Sequence, residues 1–277
     1  MKISHIYWAA MVWVMVCFSL SSVAQVVTPV STTVSGDTLK AKLQVGVQIE
    51  VDLTLEFEDS IGLSADNIDI SATLVNVNDL NILNRLPAND VSIFSTFPVV
   101  VTISPKTDKG FGFEGLASVE IYTKAISYQS SMPARLFTSH DGGDFEDITS
   151  MVSAGSIRAR GNTGRFSEFM ILLDERDDSE ILSDKFAQLE DVLDNNQSNI
   201  NSLLLSSLQT SIANLDNALF MQNYSSALSI VESLILTVEQ ASNTGMSNVW
   251  RSSGDLVNIQ GELLTHLIAL RYSLRVI

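Results

Sequence analysis

Cysteine is all but missing from this chain: its 277 residues hold one, Cys17. That residue lies in the N-terminal leader, so loss of the leader leaves no disulfide, no thiol nucleophile and no cysteine-ligated zinc. Histidine is nearly as scarce. Beyond His5 there are His140 and His266, too few for most histidine-based metal sites. Basic side chains number 16 against 32 acidic ones, a formal net charge of -16. Removing Lys2 with the leader leaves 15 against 32, or -17. Such a surface repels phosphate backbones and anionic headgroups, which excludes nucleic acid as a partner. Catalytic signatures are missing too: there is no G-x-S-x-G elbow, no H-E-x-x-H and no phosphate-binding glycine loop. No cofactor is implied.

What is present begins with an export signal. Lys2 and His5 make a polar start, Ile6 to Leu20 is an almost unbroken apolar run, and Ser22-Val23-Ala24 supplies small residues before Gln25. The pattern predicts cleavage after Ala24 and a protein that works in the periplasm or is secreted. The apolar run is shorter than the ~20 residues that span a bilayer, which argues against a retained anchor. A lipid-modified Cys17 is a further alternative, opposed by the bulk of Val16 just before it. No later segment is long and apolar enough to span a membrane.

The hydrophobic period then changes once along the chain. From Leu43 to Phe57 every odd position is apolar, whereas the even ones are Gln44, Gly46, Gln48, Glu50, Asp52, Thr54 and Glu56. That alternation predicts one long half-buried strand, bent or bulged at Gly46. Further strands are expected at 68–75, 99–104, 119–126, 134–139, 157–160 and 166–173, separated by turn clusters such as 86–90 and 109–112. Seven or so strands without intervening helices predict an antiparallel β-sandwich of Ig-like kind over 25–173. Residues 174–180 carry six charges in seven positions, and a solvated linker is placed there. Beyond it the period becomes helical. Leu204, Leu208, Ile212, Leu215 and Leu219 share one face, as do Ala227, Ile230, Val231, Leu234, Ile235 and Val238. A third stripe runs Leu256, Ile259, Leu263, Leu267, Leu270 and Leu274, and a weaker one Leu182, Phe186, Leu189 and Leu193. With breaks at 223–225 and 243–245, these stripes predict an antiparallel bundle of three or four helices over 181–277. The fold class is therefore α+β, as two domains.

Within the helical part, Ile212-Ala213-Asn214-Leu215-Asp216-Asn217-Ala218-Leu219, then Asn223-Tyr224-Ser225-Ser226-Ala227-Leu228, then a third helix after Gly245, resemble FIMAH-type modules. These are small helical units near the C-termini of secreted bacterial enzymes and adhesins. The resemblance covers about a quarter of the chain, and it implies an accessory interaction module. The whole chain is similar to secreted bacterial proteins of no assigned function. No catalytic motif of a family is matched, so no catalytic residue is transferred.

Two local motifs carry candidate chemistry. Ser139-His140-Asp141-Gly142-Gly143-Asp144-Phe145 has Asp-box spacing, in which the Asp bonds backbone amides across a hairpin tip and the aromatic packs beneath. With Glu146 and Asp147 added, Asp141, Asp144, Glu146 and Asp147 become calcium candidates, although EF-hand spacing is missing. Arg158, Arg160 and Arg165 flank Gly161-Asn162-Thr163-Gly164, which reads as a hairpin tip. Their guanidinium forks suit an acidic glycan or a partner's carboxylates, or else pair with neighbouring surface acids. Glu56 and Glu58 fall on one exposed strand face rather than across a cleft, as a glycosidase would need. Trp250 and Tyr224 are expected to be packing caps at helix junctions. The expected function is that of an exported, non-enzymatic binding or structural protein of the bacterial envelope, contacting an envelope protein or glycan. The alternative is a carboxylate-based or calcium-dependent hydrolase of envelope polymers.

Overall fold

The computed structural model describes residues 25–129, 131–153, 155–241 and 245–277. The leader with Cys17, and Asn243-Thr244 of the second expected helix break, lie outside the described residues. The strands are β1 (Gln25–Val27), β2 (Ser31–Ser35), β3 (Thr38–Val45), β4 (Ile49–Ile61), β5 (Ile68–Leu74), β6 (Val91–Ile93), β7 (Val99–Pro105), β8 (Gly112–Tyr128), β9 (Ala134–Ser139), β10 (Glu146–Asp147), β11 (Thr149–Ser153), β12 (Gly155–Thr163), β13 (Glu168–Asp174) and β14 (Val249–Arg251). The helices are α1 (Leu80–Leu83), α2 (Asp178–Asn196), α3 (Ser202–Phe220), α4 (Tyr224–Gln240) and α5 (Ile259–Val276). This is an α+β chain with two antiparallel sheets, ordered β1-β5-β7-β13-β9-β10 and β11-β12-β8-β4-β3-β2. Strand β6 joins the first through β13, and β14 joins the second through β8.

The long alternating run at 43–57 is two strands rather than one. Val45 pairs directly with Ile49 across the three-residue loop 46–48, with Gly46 at φ +63°, a conformation that glycine adopts without penalty. Directly opposed residues share a face, so an odd loop preserves the parity of the apolar positions. Val47 alone betrays the turn, at 96% exposure.

The inward residues of both sheets meet in one core. Leu39, Leu43, Leu53, Leu55, Val119, Ile121 and Ile157 from one sheet pack with Ile70, Ala72, Val101, Ile103, Leu136, Phe169 and Ile171 from the other. An aromatic group of Phe57, Phe111, Phe113, Phe166 and Trp250 closes one end, with ring centroids 5.4–6.4 Å apart. Trp250, on β14, is thus half-buried against the sheet core and not a cap between helices. The opposite face of the first sheet is buried as well, because Val100, Phe137, Met170 and Leu172 pack beneath Ile82, Val91, Ile93 and Phe145. A strand buried on both faces loses its alternation, which accounts for the continuous apolar runs at 99–101 and 169–173.

The four long helices enclose a second core, and α5 lies at its centre against α2 and α4 on one side and β8, β11 and β12 on the other. Asn201, Asn223 and Asn258 cap α3, α4 and α5, each side chain accepting a bond from a first-turn amide. The charged run at 174–180 is solvated only in part: Glu175 and residues 177–180 are exposed, whereas Asp174 and Arg176 are buried. Asp174 ends β13, α2 begins at Asp178, four residues after it, and Arg176 folds back to hold Asp174 with two parallel bonds of 2.8 Å. Both side chains are buried, since a guanidinium fork matched to a carboxylate satisfies both charges. None of the described helices is long and apolar enough to cross a membrane.

Candidate functional site

The seam between sheets and helices concentrates the buried charge of the molecule. Asp147, at the end of β10, is fully enclosed. Its carboxylate receives Lys185 Nζ from α2 at 2.8 Å and Arg135 Nη1 from β9 at 3.1 Å, while Thr149 donates its backbone N–H to Oδ1 at 2.8 Å. Arg135 also reaches Ser273 of α5 at 3.1 Å and lies 3.8 Å from Asp174. Burial pushes the Asp147 carboxyl upward, but Lys185 and Arg135 outweigh it and hold it at about 2. Burial draws Lys185 down to about 8, with Arg135 adding to the fall and Asp147 opposing it. The ammonium therefore stays the charged partner at neutral pH.

Beside this network both remaining histidines meet two glutamates and an arginine. His266 Nε2 lies 3.8 Å from Glu146 Oε2, and Arg165 Nε lies 3.2 Å from Glu262 Oε2. Burial pushes the Glu262 carboxyl up to about 7 against the pull of Arg165, with Glu146 adding to the rise. Burial, helped by Arg165, lowers both imidazoles to about 3. The Nδ1 atoms of His140 and His266 have no hydrogen-bond partner among the described residues. Glu262, His266, Ala269 and Ser273 fall at i, i+4, i+7 and i+11, one face of α5. The leucine stripe of the same helix faces the helical core.

The calcium candidates do not converge. Asp141 and Asp144 are exposed on the loop between β9 and β10, Glu146 is half-buried towards His266, and Asp147 is taken up by its two cations. Among the described residues no three His, Cys, Asp or Glu side chains are grouped so as to hold a metal ion. The hairpin itself is as expected, β10 pairing with β9 and Phe145 buried beneath the tip. The pins differ from the expected ones. Ser139 Oγ and Arg85 Nε donate to Gly143 O at 2.7 and 2.8 Å, and the Arg85 guanidinium stacks 4.6 Å from the Phe145 ring.

The three arginines divide between two places. Residues 161–163 are not a hairpin tip but continue β12 along β8. Arg165 belongs to the seam, whereas Arg158 and Arg160 lie on the outer face of the second sheet. There they share one carboxylate, Glu120, which is 5% exposed and accepts from Arg158 Nη1 and, at 2.8 Å, from Arg160 Nη2. Across the sheet, Arg158, Tyr122, Asp52 and Lys42 form one row, and Arg160, Glu120, Thr54 and Lys40 the next. A hollow of about 360 Å³ opens between them, lined by Lys40, Lys42, Asp52, Glu120, Tyr122 and Arg158. The Arg158 guanidinium sits 5.0 Å from the Tyr122 ring. Each of these residues is on the polar half of an alternating strand, so the sequence pattern contains the face. The cross-strand registers that bring them together are not local information. Glu56 lies on this face, 3.9 Å from Arg160. Glu58, likewise exposed, is the next outward position along β4, at the point where the β4–β8 ladder shifts register.

No curated protein and no solved structure matches the chain. A family model matches residues 12–277, nearly the whole chain, and the protein belongs to that family, described as the family of unknown function DUF6689.

Proposed function

We propose that this is an exported, non-enzymatic binding protein of the bacterial cell envelope. Its leader is removed after Ala24, and the chain acts in the periplasm or beyond it. In this reading residues 25–173 are an Ig-like β-sandwich that carries the recognition surface, and residues 181–277 are a helical bundle that serves as an interaction module of FIMAH type. The observation that carries it is the hollow on the outer face of the second sheet. In a chain of net charge -16, its lining sets three cations, Lys40, Lys42 and Arg158, against two carboxylates, Asp52 and Glu120. An aromatic face at Tyr122 beside guanidinium and ammonium donors suits an envelope glycan or peptide with carboxylates. The hydrolase alternative gains no comparable support, because Asp147 is occupied by Lys185 and Arg135.

Retention of acidic and neutral envelope polysaccharides, and of envelope extracts, on the immobilised protein tests this. Acidic ligands should be retained, and Tyr122→Ala and Lys40→Glu should abolish retention without altering the unfolding midpoint. Retention of nothing, or equal retention by both variants, overturns the proposal.

A further inference from the structure

Beyond that hollow, a smaller one of about 220 Å³ opens where β4 and β8 meet the helices, its lining including Glu58, Asp59, Glu114, Glu239, Asn248 and Gln260. Four of these residues are carboxylates and none is a cation. The backbone is shaped to bring one of them in. Glu58 lies opposite a register shift whose extra residue is on β8, between Ala117 and Glu114, a bulge of the kind that disrupts the ladder locally. Opposite it, Gly115 sits at φ +68°, and a Cβ there would overlap the Glu58 carboxylate. The glycine is thus the condition for Glu58 to lie where it does. Burial raises the Glu58 carboxyl, and the nearby Glu239 adds to the rise. Among the described residues no cation lines the hollow.

A second feature independently calls for a donor. Asn248 is 6% exposed, and its Oδ1 is buried with no hydrogen-bond partner among the described residues. Its backbone carbonyl is already used by the Gly115 amide at 2.9 Å. Gln260, also at the base, spends its amide hydrogens on the carbonyls of Val238 and Glu239. The hollow therefore offers acceptors and negative charge. Its carboxylates are not grouped as metal ligands, and its volume lies below the ~300 Å³ at which drug-sized sites begin.

We propose that this hollow binds an organic cation, an ammonium or guanidinium group, with Glu58 and Glu239 supplying the counter-charge and Asn248 Oδ1 accepting one hydrogen bond. A primary ammonium carries three donors and a guanidinium five, which suits several separated acceptors better than the tight oxygen shell of a bare divalent ion. The cation comes either from a free polyamine or from a lysine or arginine side chain of a partner, and the chemistry at the site is the same.

Calorimetric titration of the full-length exported chain with 1,4-diaminobutane, with a lysine-rich peptide, with an arginine-rich peptide and with calcium chloride tests the proposal. At least one amine or guanidinium probe should bind with one-to-one stoichiometry. Glu58→Gln and, separately, the helix-surface variant Glu239→Gln should each weaken it by about tenfold, the usual worth of a charge-assisted bond, whereas Asp79→Asn, on α1, should not. Binding should also release protons as the pH falls into the raised titration range of Glu58, because a cation favours its ionised form. Tighter binding of the diamine identifies a free polyamine and tighter binding of a peptide a partner side chain. Binding of calcium alone, absence of binding by every organic probe, or affinities equal in wild type and both glutamine variants would overturn it.

Discussion

Replacing Glu262 with glutamine should make the protein more sensitive to acid, although it removes an acidic group. Between pH 7 and pH 5, three buried groups at the seam titrate differently in folded and unfolded chains. His140 and His266 stay neutral in the fold, held at about 3, whereas in the unfolded chain they protonate near their ordinary 6.5. The unfolded state therefore takes up the proton as pH falls below 6.5, and stability drops. One pH unit across such a gap is worth about 1.4 kcal/mol, so each histidine costs about 2 kcal/mol by pH 5 and the pair about 4. Glu262 works in the other direction. Its folded carboxyl, raised to about 7, takes up a proton in this interval while the unfolded one, at 4.5, stays ionised. Protonation then favours the fold and returns about 2 kcal/mol. The wild type should accordingly lose about 2 kcal/mol between pH 7 and 5, and Glu262→Gln about 4, from this set of groups.

Urea unfolding followed by far-ultraviolet circular dichroism at pH 7, 6 and 5 measures both slopes. The other groups facing this cluster, Glu146 on β10, Lys185 on α2 and Arg165 on the turn before β13, are common to both proteins, so the difference between slopes isolates Glu262. Parallel slopes would refute the argument, since they would mean that Glu262 takes up no proton in the folded chain over this interval.

Lys185→Met leaves Asp147 buried with Arg135 as its one remaining cation and should cost about 3–5 kcal/mol in urea unfolding. Adding Asp147→Asn to it should recover part of that loss, and failure to recover any would place the defect in packing. Gly115→Ala combines a left-handed backbone with overlap on Glu58 and should destabilise by about 1–3 kcal/mol. Glu58→Ala in the same background should relieve the overlap but not the backbone strain, a partial rescue visible in the unfolding midpoint. Phe145→Ala empties the space beneath Arg85 and should cost about 3–5 kcal/mol, whereas Asp141→Asn and Asp144→Asn on the exposed tip should leave unfolding unchanged with or without calcium.

Much of the architecture was legible because it is written in local period. The expected strand at 134–139 is β9, that at 68–75 is β5 less its last residue, and the stripes after residue 181 mark all four long helices. The misjudged segments fail for identifiable reasons. The β3–β4 turn was hidden by an odd loop that kept the alternation in phase. Most of the run 174–180 is exposed, as its charge implies, but composition counts charges without their partners and so does not show that Arg176 is buried, satisfied by Asp174 and by Asp184, eight residues on at 3.0 Å. Gly161 invited a turn, but it is small for another reason: a Cβ there would press on the Ile148 carbonyl and side chain. Short strands such as β1, β6, β10 and β14 have too few residues to show any period, and pairing partners far along the chain define them.

The seam was partly legible in α5. A stripe of Leu263, Leu267, Leu270 and Leu274 accounts for one side of that helix, and the sequence taken alone leaves the other to solvent. Yet Glu262, His266 and Ser273 repeat on that other side with helical spacing, mixed with Ala269 and Thr265 instead of the lysines and glutamates of a solvated face. A helix that spends small and singly polar residues where charge would be cheap has a second partner, and here it is the edge of the sheets. What the helix could not disclose is that the partner groups, Glu146, Arg165 and Arg135, come from three separate segments of the β part. Their meeting explains why the charges of the seam sit where titration is most perturbed. Each comes from a strand end or turn, where an alternating pattern stops specifying which side is inside; Arg135 is buried there, and Glu146 and Arg165 are partly covered.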